Sequence, residues 1–488
     1  MTRRTLLAGI PAILAAKGTP PPAPWGAIPS ARQLAWHSLE FTGFLHFTVN
    51  TFTNKEWGYG DESPDIFDPA KFDADAIVGV LADAGMRGVI LTAKHHDGFC
   101  QWPTKTTDHS VLHSKWRGGK GDVVKEISQA AARRKLKFGV YLSPWDRNNA
   151  AYGAPEYIKI YRQQLTELLT QYGPIFEVWH DGANGGDGFY GGAREKRSID
   201  RNIYYDWPKT WEMIRAMQPD ACVFSDVGPD IRWVGNERGI AGDPCWAAFD
   251  PVGEDGGPAS PGNVRTKDSQ SGNRNGKQWI PAECDVSIRP GWFWHEAENA
   301  RVKKTQQLVN LYYQSAGRGA TLLLNVPPNR DGLISSEDVA SLKGLGDYLR
   351  GTFAVNLAAK ARAEASHVRG NDKQYAAANL VDGRADSYWT TDDRVTHADV
   401  IIDLPRPTRF QVIRLREAIE FGQRIQTVEI DRSQPDDWEP VAKVTGIGAR
   451  RLIRLSSPII AQRLRLRITE ASACPALSEF ALFSEAGA

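Results

Sequence analysis

Along residues 36–355, short apolar runs alternate with stretches whose apolar positions recur about every 3.6 residues. Gly43–Val49, Gly88–Ala93, Lys137–Leu142, Ile175–Trp179, Ala221–Asp226, Gln278–Cys284 and Ala320–Val326 read as strands. Asp75–Ala84, Asp122–Arg134, Pro155–Gln171, Trp207–Met217 and Glu296–Ala316 read as the helices between them. Short apolar strands joined by crossover helices describe a parallel sheet closing on itself. The predicted fold is therefore α/β, a (β/α)8-like barrel over residues 30–355. Seven strands are visible, and the eighth is expected in the polar, glycine-rich range Asp250–Gly276, which otherwise reads as a long loop. Val339–Phe353 reads as the helix that closes the barrel.

Past a boundary near residues 354–362 the helical period vanishes. Ala398–Leu404, Gln411–Arg416, Thr427–Asp431 and Arg463–Ile468 are short β-rich runs between turn residues, the pattern of an all-β sandwich over 360–486. Residues 1–24 read as an export signal and linker. Arg3-Arg4 precede an apolar run too short to span a bilayer, followed by small residues and prolines. The paired arginines suit a twin-arginine-type signal, so a periplasmic or extracellular location is expected. No other long apolar segment exists, so no membrane span is expected. A net charge of +1 gives no footprint for nucleic acid or anionic lipid. Five scattered cysteines offer neither a disulfide framework nor a CxxC spacing.

Polar residues collect at one end of successive strands. Gly173-Pro-Ile-Phe-Glu-Val-Trp-His-Asp181-Gly is an apolar strand that delivers a carboxylate and then breaks on glycine. In a barrel, that end of a strand presents catalytic groups, although Asp-Gly is also a common turn pair. His46 lies in the first strand with Glu56 and Trp57 after it; His95 and His96 end the second, and Tyr141 the third. Asp226 ends the fifth, with Arg232 and Glu237 in the loop beyond. A histidine pair could ligate metal, but adjacent strand residues point to opposite faces and no third ligand stands at a recognisable spacing, so no metal is expected. GxGxxG, Walker and G-x-S-x-G patterns are absent. Sixteen tryptophans, several in loop contexts, suit flat sugar faces, and two carboxylates on separate loops suit glycoside hydrolysis.

The barrel segment resembles the α-L-fucosidases of glycoside hydrolase family 29. The blocks that carry the resemblance are Phe44-Leu-His-Phe, Lys55-Glu-Trp-Gly, Leu91-Thr-Ala-Lys-His-His-Asp-Gly-Phe, Phe138-Gly-Val-Tyr-Leu-Ser-Pro-Trp, Glu177-Val-Trp-His-Asp-Gly-Ala-Asn, Gly228-Pro-Asp-Ile-Arg-Trp-Val-Gly-Asn-Glu237 and Asp285-Val-Ser-Ile-Arg-Pro-Gly-Trp-Phe. The resemblance implies a retaining mechanism with Asp181 as nucleophile and Glu237 as acid/base. It also implies the subgroup acting on α-1,3- and α-1,4-linked fucose in branched glycans, and no catalytic cofactor. His46, Glu56, Trp57, His95, His96, Tyr141 and Arg232 would bind substrate, and Trp292 would wall the sugar's methyl group. His180 departs from the family, which usually has an aromatic or aliphatic residue before the nucleophile; by alternation it should point away from Asp181.

The C-terminal motif Ala378-Asn-Leu-Val-Asp382-Gly-Arg-Ala-Asp-Ser-Tyr-Trp389 resembles discoidin-like, galactose-binding-like domains. These often bind sugars, and some hold a structural calcium near the Asp-Gly loop, here near Asp382; equally they pack on a catalytic domain. A fucosylated oligosaccharide or glycoconjugate is the expected partner. Two other readings stand beside this one: a carbohydrate-binding protein with an inactive barrel, and a glycosidase for a related sugar such as α-L-galactose.

Overall fold

The computed structural model of the chain describes residues 18–487. The expected export signal lies outside the described residues, apart from the end of its proline-rich linker. Eight parallel strands close into a barrel: β1 Phe41–Leu45, β2 Gly88–Lys94, β3 Lys137–Leu142, β4 Ile175–Trp179, β5 Cys222–Ser225, β6 Ile231–Trp233, β7 Ala282–Ser287 and β8 Thr321–Asn325. Their order around the barrel is sequential, and β8 pairs with β1 at Phe41–Leu322 to Phe44–Asn325. Most of these strands are buried on both faces, which is why they appear as unbroken apolar runs rather than alternating ones.

Helices α1 Ala74–Asp83, α2 Val123–Arg133, α3 Pro155–Gln171, α4 Trp207–Met217, α5 Thr305–Gln314 and α6 Ser336–Phe353 surround the barrel. Their starts follow local chemistry. The Asp73 and Asp122 carboxylates accept from the backbone N–H of Ala76 and Lys125, capping α1 and α2. Proline opens α3 and sits in the first turn of α4, where its missing N–H costs no hydrogen bond.

The eighth strand is not in Asp250–Gly276. It is β6, three residues long and staggered so that Ile231 sits opposite Phe224 and Arg232 opposite Ser225. With that offset, residues 226–230 join β5 to β6 without a helix. A three-residue strand with an arginine at its centre and no crossover helix leaves no periodic signal. The range Asp250–Gly276 is indeed loop, with one 3-10 turn at Thr266–Asp268. Gln278–Trp279 leaves the barrel and pairs with Ala248–Phe249, so β7 begins only at Ala282. The stretch read as one helix from Glu296 divides into a 3-10 turn, Glu296–Arg301, and α5.

The C-terminal domain has seven antiparallel strands: β9 Arg362–Ala365, β10 Trp389–Thr390, β11 Ala398–Glu417, β12 Ile425–Ser433, β13 Trp438–Thr445, β14 Arg451–Ala471 and β15 Ala476–Phe483. β11 and β14 each serve twice. The first part of β11 lies between β9 and the second part of β14; its later part lies between β15 and the first part of β14. Register shifts between Asp403 and Thr408, where Pro405 and Pro407 withhold ladder N–H groups, separate the two parts. Val400, Ile402, Ile413, Leu415, Leu466 and Phe480 fill the core between them. The domain packs on the barrel: Val412, Leu452, Ala481 and Phe483 join the barrel's own apolar cluster. Arg416 reaches Glu40 at 2.6 Å and Arg451 reaches Asp243 at 2.6 Å.

Candidate active site

The carboxyl ends of the barrel strands surround a cavity of about 520 Å³. His46 follows β1, His95 and His96 follow β2, Tyr141 lies in β3, Asp181 follows β4 and Asp226 follows β5; all line it. Trp233 and Glu237 enter from β6 and its loop, and Asp285 and Trp292 from β7 and its loop. Phe44, Trp179 and Phe224 form an apolar floor, with Trp179 stacked on Phe224 at 4.0 Å between ring centroids.

Trp179, the last residue of β4, and Asp181 just beyond it both line the cavity, whereas His180 between them points outward between α3 and α4. His180 Nδ1 meets the Tyr161 hydroxyl at 2.8 Å and its ring lies 4.9 Å from that of Trp207. Burial lowers its pKa to about 3. This residue therefore packs the outer layer and does not touch the Asp181 carboxylate.

Asp181 is surrounded by donors. The Tyr141 hydroxyl donates to Oδ2 at 3.0 Å and the Ala183 N–H to Oδ1 at 2.7 Å. His96 Nε2 stands 3.9 Å from Oδ2, too far for a hydrogen bond. Glu237 is exposed on its loop, yet partial desolvation raises its pKa; Trp292 opposes the shift, while the Asp181 and Glu56 charges add to it. Asp226 is pushed up to about 7, mainly by burial, although the Gly262 N–H donates to it. Asp285 is raised still further by burial beside Glu283, and its Oδ1 accepts from the Trp233 indole at 2.6 Å.

The histidines are held neutral. Burial lowers His46 to about 3 and His96 to about 4, and takes His95 well below its ordinary range. Asn325 spends its amide N–H groups on Ser287 and the Trp292 carbonyl, so its Oδ1 accepts from His46 Nδ1 at 2.9 Å. Ser143 donates to the Trp145 carbonyl and so accepts from His96 Nδ1 at 2.7 Å. Both rings are left with Nε2 as an acceptor, and His95 Nδ1 has no partner among the described residues. Neutral acceptors, indoles and a few carboxyl groups suit a polyhydroxylated ligand without charge.

The sequence model described as Alpha-L-fucosidase matches residues 25–352, and that described as F5/8 type C domain matches residues 361–480. The chain belongs to the alpha-L-fucosidase family of glycoside hydrolases. Alpha-L-fucosidase 1 of Arabidopsis thaliana is 41% identical over 471 residues, covering 96% of this chain and 89% of its own. A putative alpha-L-fucosidase structure from Bacteroides thetaiotaomicron is 37% identical with a TM-score of 0.85, covering 95% of this chain and 99% of that one. A family 29 fucosidase of Ruminococcus gnavus, solved in complex with fucose, is 32% identical with a TM-score of 0.86, over 97% and 98% of the two chains.

Within the fucosidase barrel, eight of the ten site residues expected from the sequence line the one cavity; Glu56 and Arg232 do not. Glu56 ties two loops together. Its carboxylate accepts from the N–H of Trp292 at 2.7 Å and of Phe293 at 3.3 Å, and meets His295 Nε2 at 2.5 Å. It thereby sets Trp292, and His295 is a residue the sequence reading missed. Arg232 lies in β6, fully buried, and donates to the carbonyls of Ser269, Ile280 and Trp246. It fastens the long loop after β6 and is too deep to meet a ligand. The expectation for the histidine pair also changes. β2 ends at Lys94, so alternation no longer applies to His95 and His96, whose rings lie 4.1 Å apart on the same cavity.

No group of three or more His, Cys, Asp or Glu suited to a metal occurs among the described residues. Near the expected calcium position, one Asp382 oxygen accepts from Arg384 N–H and the other from Ser387 Oγ, while neighbouring Asp386 pairs with Arg384. Among the described residues, no helix is long and apolar enough to cross a membrane.

Proposed function

We propose that the protein is a retaining exo-α-L-fucosidase that removes terminal α-1,3- or α-1,4-linked L-fucose from branched glycans. Asp181 attacks the anomeric carbon while Glu237 gives its proton to the departing glycosidic oxygen, leaving a fucosyl ester on Asp181. Glu237, now a carboxylate, takes a proton from water, whose oxygen attacks the anomeric carbon; the ester breaks and Asp181 returns as a carboxylate. The observation that carries this reading is the contrast between two carboxyls on one cavity. The Asp181 carboxylate accepts from the Tyr141 hydroxyl and the Ala183 N–H, while desolvation raises the pKa of Glu237 and favours its protonated form. Substrate contacts are assigned to His46, Trp57, His95, His96, Tyr141 and Trp292, with Glu56 acting through Trp292. The cavity continues past the floor toward Glu254, Val264 and Thr266 on the loop after β6, room that supports a leaving group larger than a simple alcohol.

Asp181→Gly with added azide tests the mechanism: a fucosyl azide of inverted configuration is expected, and absence of rescue moves the nucleophile elsewhere. Comparing branched Lewis-type oligosaccharides with aryl fucosides and an α-1,2-linked trisaccharide tests the linkage. Export through a twin-arginine-type signal is part of the proposal, and fractionation of cells carrying Arg3→Lys/Arg4→Lys checks it.

A further inference from the structure

Beneath the cavity floor, the barrel interior holds two carboxyl groups that the reaction does not use. Glu177 on β4 and Glu283 on β7 are both completely buried. Each spends one oxygen on an indole. Trp36 Nε1 donates to Glu177 Oε2 at 2.8 Å from the N-terminal side of the barrel, and Trp179 Nε1 donates to Glu283 Oε1 at 3.0 Å from the cavity floor. Their other oxygens, Glu177 Oε1 and Glu283 Oε2, are buried with no hydrogen-bond partner among the described residues, and the charge on Glu177 bears on Glu283 and raises it. Two buried carboxyls that bear on each other, each with an unpartnered oxygen, favour keeping a proton, because two carboxylates close together repel.

No cation relieves that demand. The ionisable groups bearing on the pair are Asp230, occupied by Arg32 and Arg215, together with Asp285 and the buried thiols of Cys222 and Cys284. Burial, followed for Glu283 by the Glu177 charge, raises both carboxyls; Glu177 reaches about 8 and Glu283 lies well above the ordinary range.

We propose that Glu177 and Glu283 share a proton across the barrel interior and are positioning residues that hold Trp179 at the floor of the cavity. The consequence reaches the reacting group. Trp179 stacks on Tyr141 at 5.2 Å, and the Tyr141 hydroxyl donates to Asp181. Trp179 also lines the same cavity as Asp181, two residues before it. What the cavity binds rests on the fucosidase reading; the proton-sharing pair does not.

Glu283→Gln is the decisive variant. Its amide oxygen can accept from Trp179 Nε1 while its NH2 donates to Glu177, so the bonds survive without a shared proton. Glu283→Met keeps similar volume but offers Trp179 no oxygen. Because the folded pKa values are raised, the pair's stability is greatest below the ordinary carboxyl range and is lost as pH climbs through about 8. In urea unfolding of the full chain between pH 6 and 9, the wild-type unfolding constant should rise more steeply than that of E283Q, by up to about tenfold per pH unit for one proton. At pH 7, E283Q should hold KM for an aryl fucoside within about threefold, while E283M raises it by about tenfold with a smaller change in kcat. Equal pH slopes for wild type and E283Q overturn the shared proton. An unchanged KM in E283M overturns the positioning of Trp179. If E283M does not fold, a tenfold rise of KM in E283Q overturns positioning instead. Should the wild type bind no fucoside, the functional reading fails while the unfolding slopes still judge the pair.

Discussion

At the barrel mouth, His46, His95 and His96 are buried and lowered, while Asp226 is partly exposed and desolvation raises it to about 7. In the sandwich, Asp431 is just as buried as those histidines, yet Arg467 and Arg465 donate to it at 2.8 and 2.9 Å. Burial alone would raise Asp431; those hydrogen bonds and charges hold it below the usual carboxylate range. Glu479 likewise sits under Arg414 and Arg416 and ends up lowered. The difference teaches what each surface is for. The sandwich pairs its buried charges with guanidinium groups, whereas the barrel mouth leaves polar atoms unpaired and neutral, ready for hydroxyl groups supplied by a ligand. Glu417, where the sandwich meets the barrel, breaks the pattern: burial raises it to about 7 although three backbone N–H groups donate to it.

The largest expected effect breaks the barrel side of the comparison. Asp181→Ala removes the proposed nucleophile and should lower kcat by about 10⁴-fold or more without unfolding the chain, checked by turnover and by the thermal midpoint. Glu237→Gln should cost about 10²–10⁴-fold on a glycan and less on an aryl fucoside whose leaving group needs no proton. Since Glu237 must be protonated, wild-type kcat/KM should fall as pH rises through its raised pKa, and that alkaline limb should flatten in the variant when the aryl fucoside is used.

The sandwich side is tested by removing its cations. Arg465→Ala/Arg467→Ala leaves Asp431 buried without its cations and should cost about 1–3 kcal/mol of stability with kcat unchanged. The sign of the pH effect is diagnostic. A lowered carboxylate stabilises above its unfolded pKa and loses that contribution as pH falls through the folded value, so the wild type should lose stability in acid more steeply than this variant.

Asp97 in the barrel should behave oppositely. Burial raises it to about 7, so its contribution is complete below the ordinary carboxyl range and is lost as pH rises through about 7. Asp97→Asn keeps an acceptor for the Phe99 N–H and should flatten the unfolding constant between pH 5 and 8 by up to about tenfold per pH unit. The smallest effect sharpens the picture within a single strand: His180→Phe, one residue from Asp181 but facing α3, should change kcat/KM by less than about threefold.

Much of this was legible in the chain because the barrel strands are long enough to show their burial. β1 to β5 and β8 stand out as apolar runs, and Asp181 follows from an apolar strand ending in Asp-Gly. β6 was not legible, since three residues around a buried arginine carry no period. The histidine pair was misread because alternation was applied one residue past the strand end. The loop-holding contacts of Glu56 and Arg232 were not legible: a motif fixes where a residue lies along the chain, not which loop its side chain holds.

Local pattern thus determined the barrel, the sandwich and the order of polar residues along one rim. Those are consequences of which side chains must leave water and which turns must follow. Only the closed structure decided which carboxyls stand unpaired, which histidines are neutral, and that Glu177 and Glu283 are both buried in the barrel interior. Protonation follows from burial and from neighbours distant in sequence, and neither exists until the strands have closed.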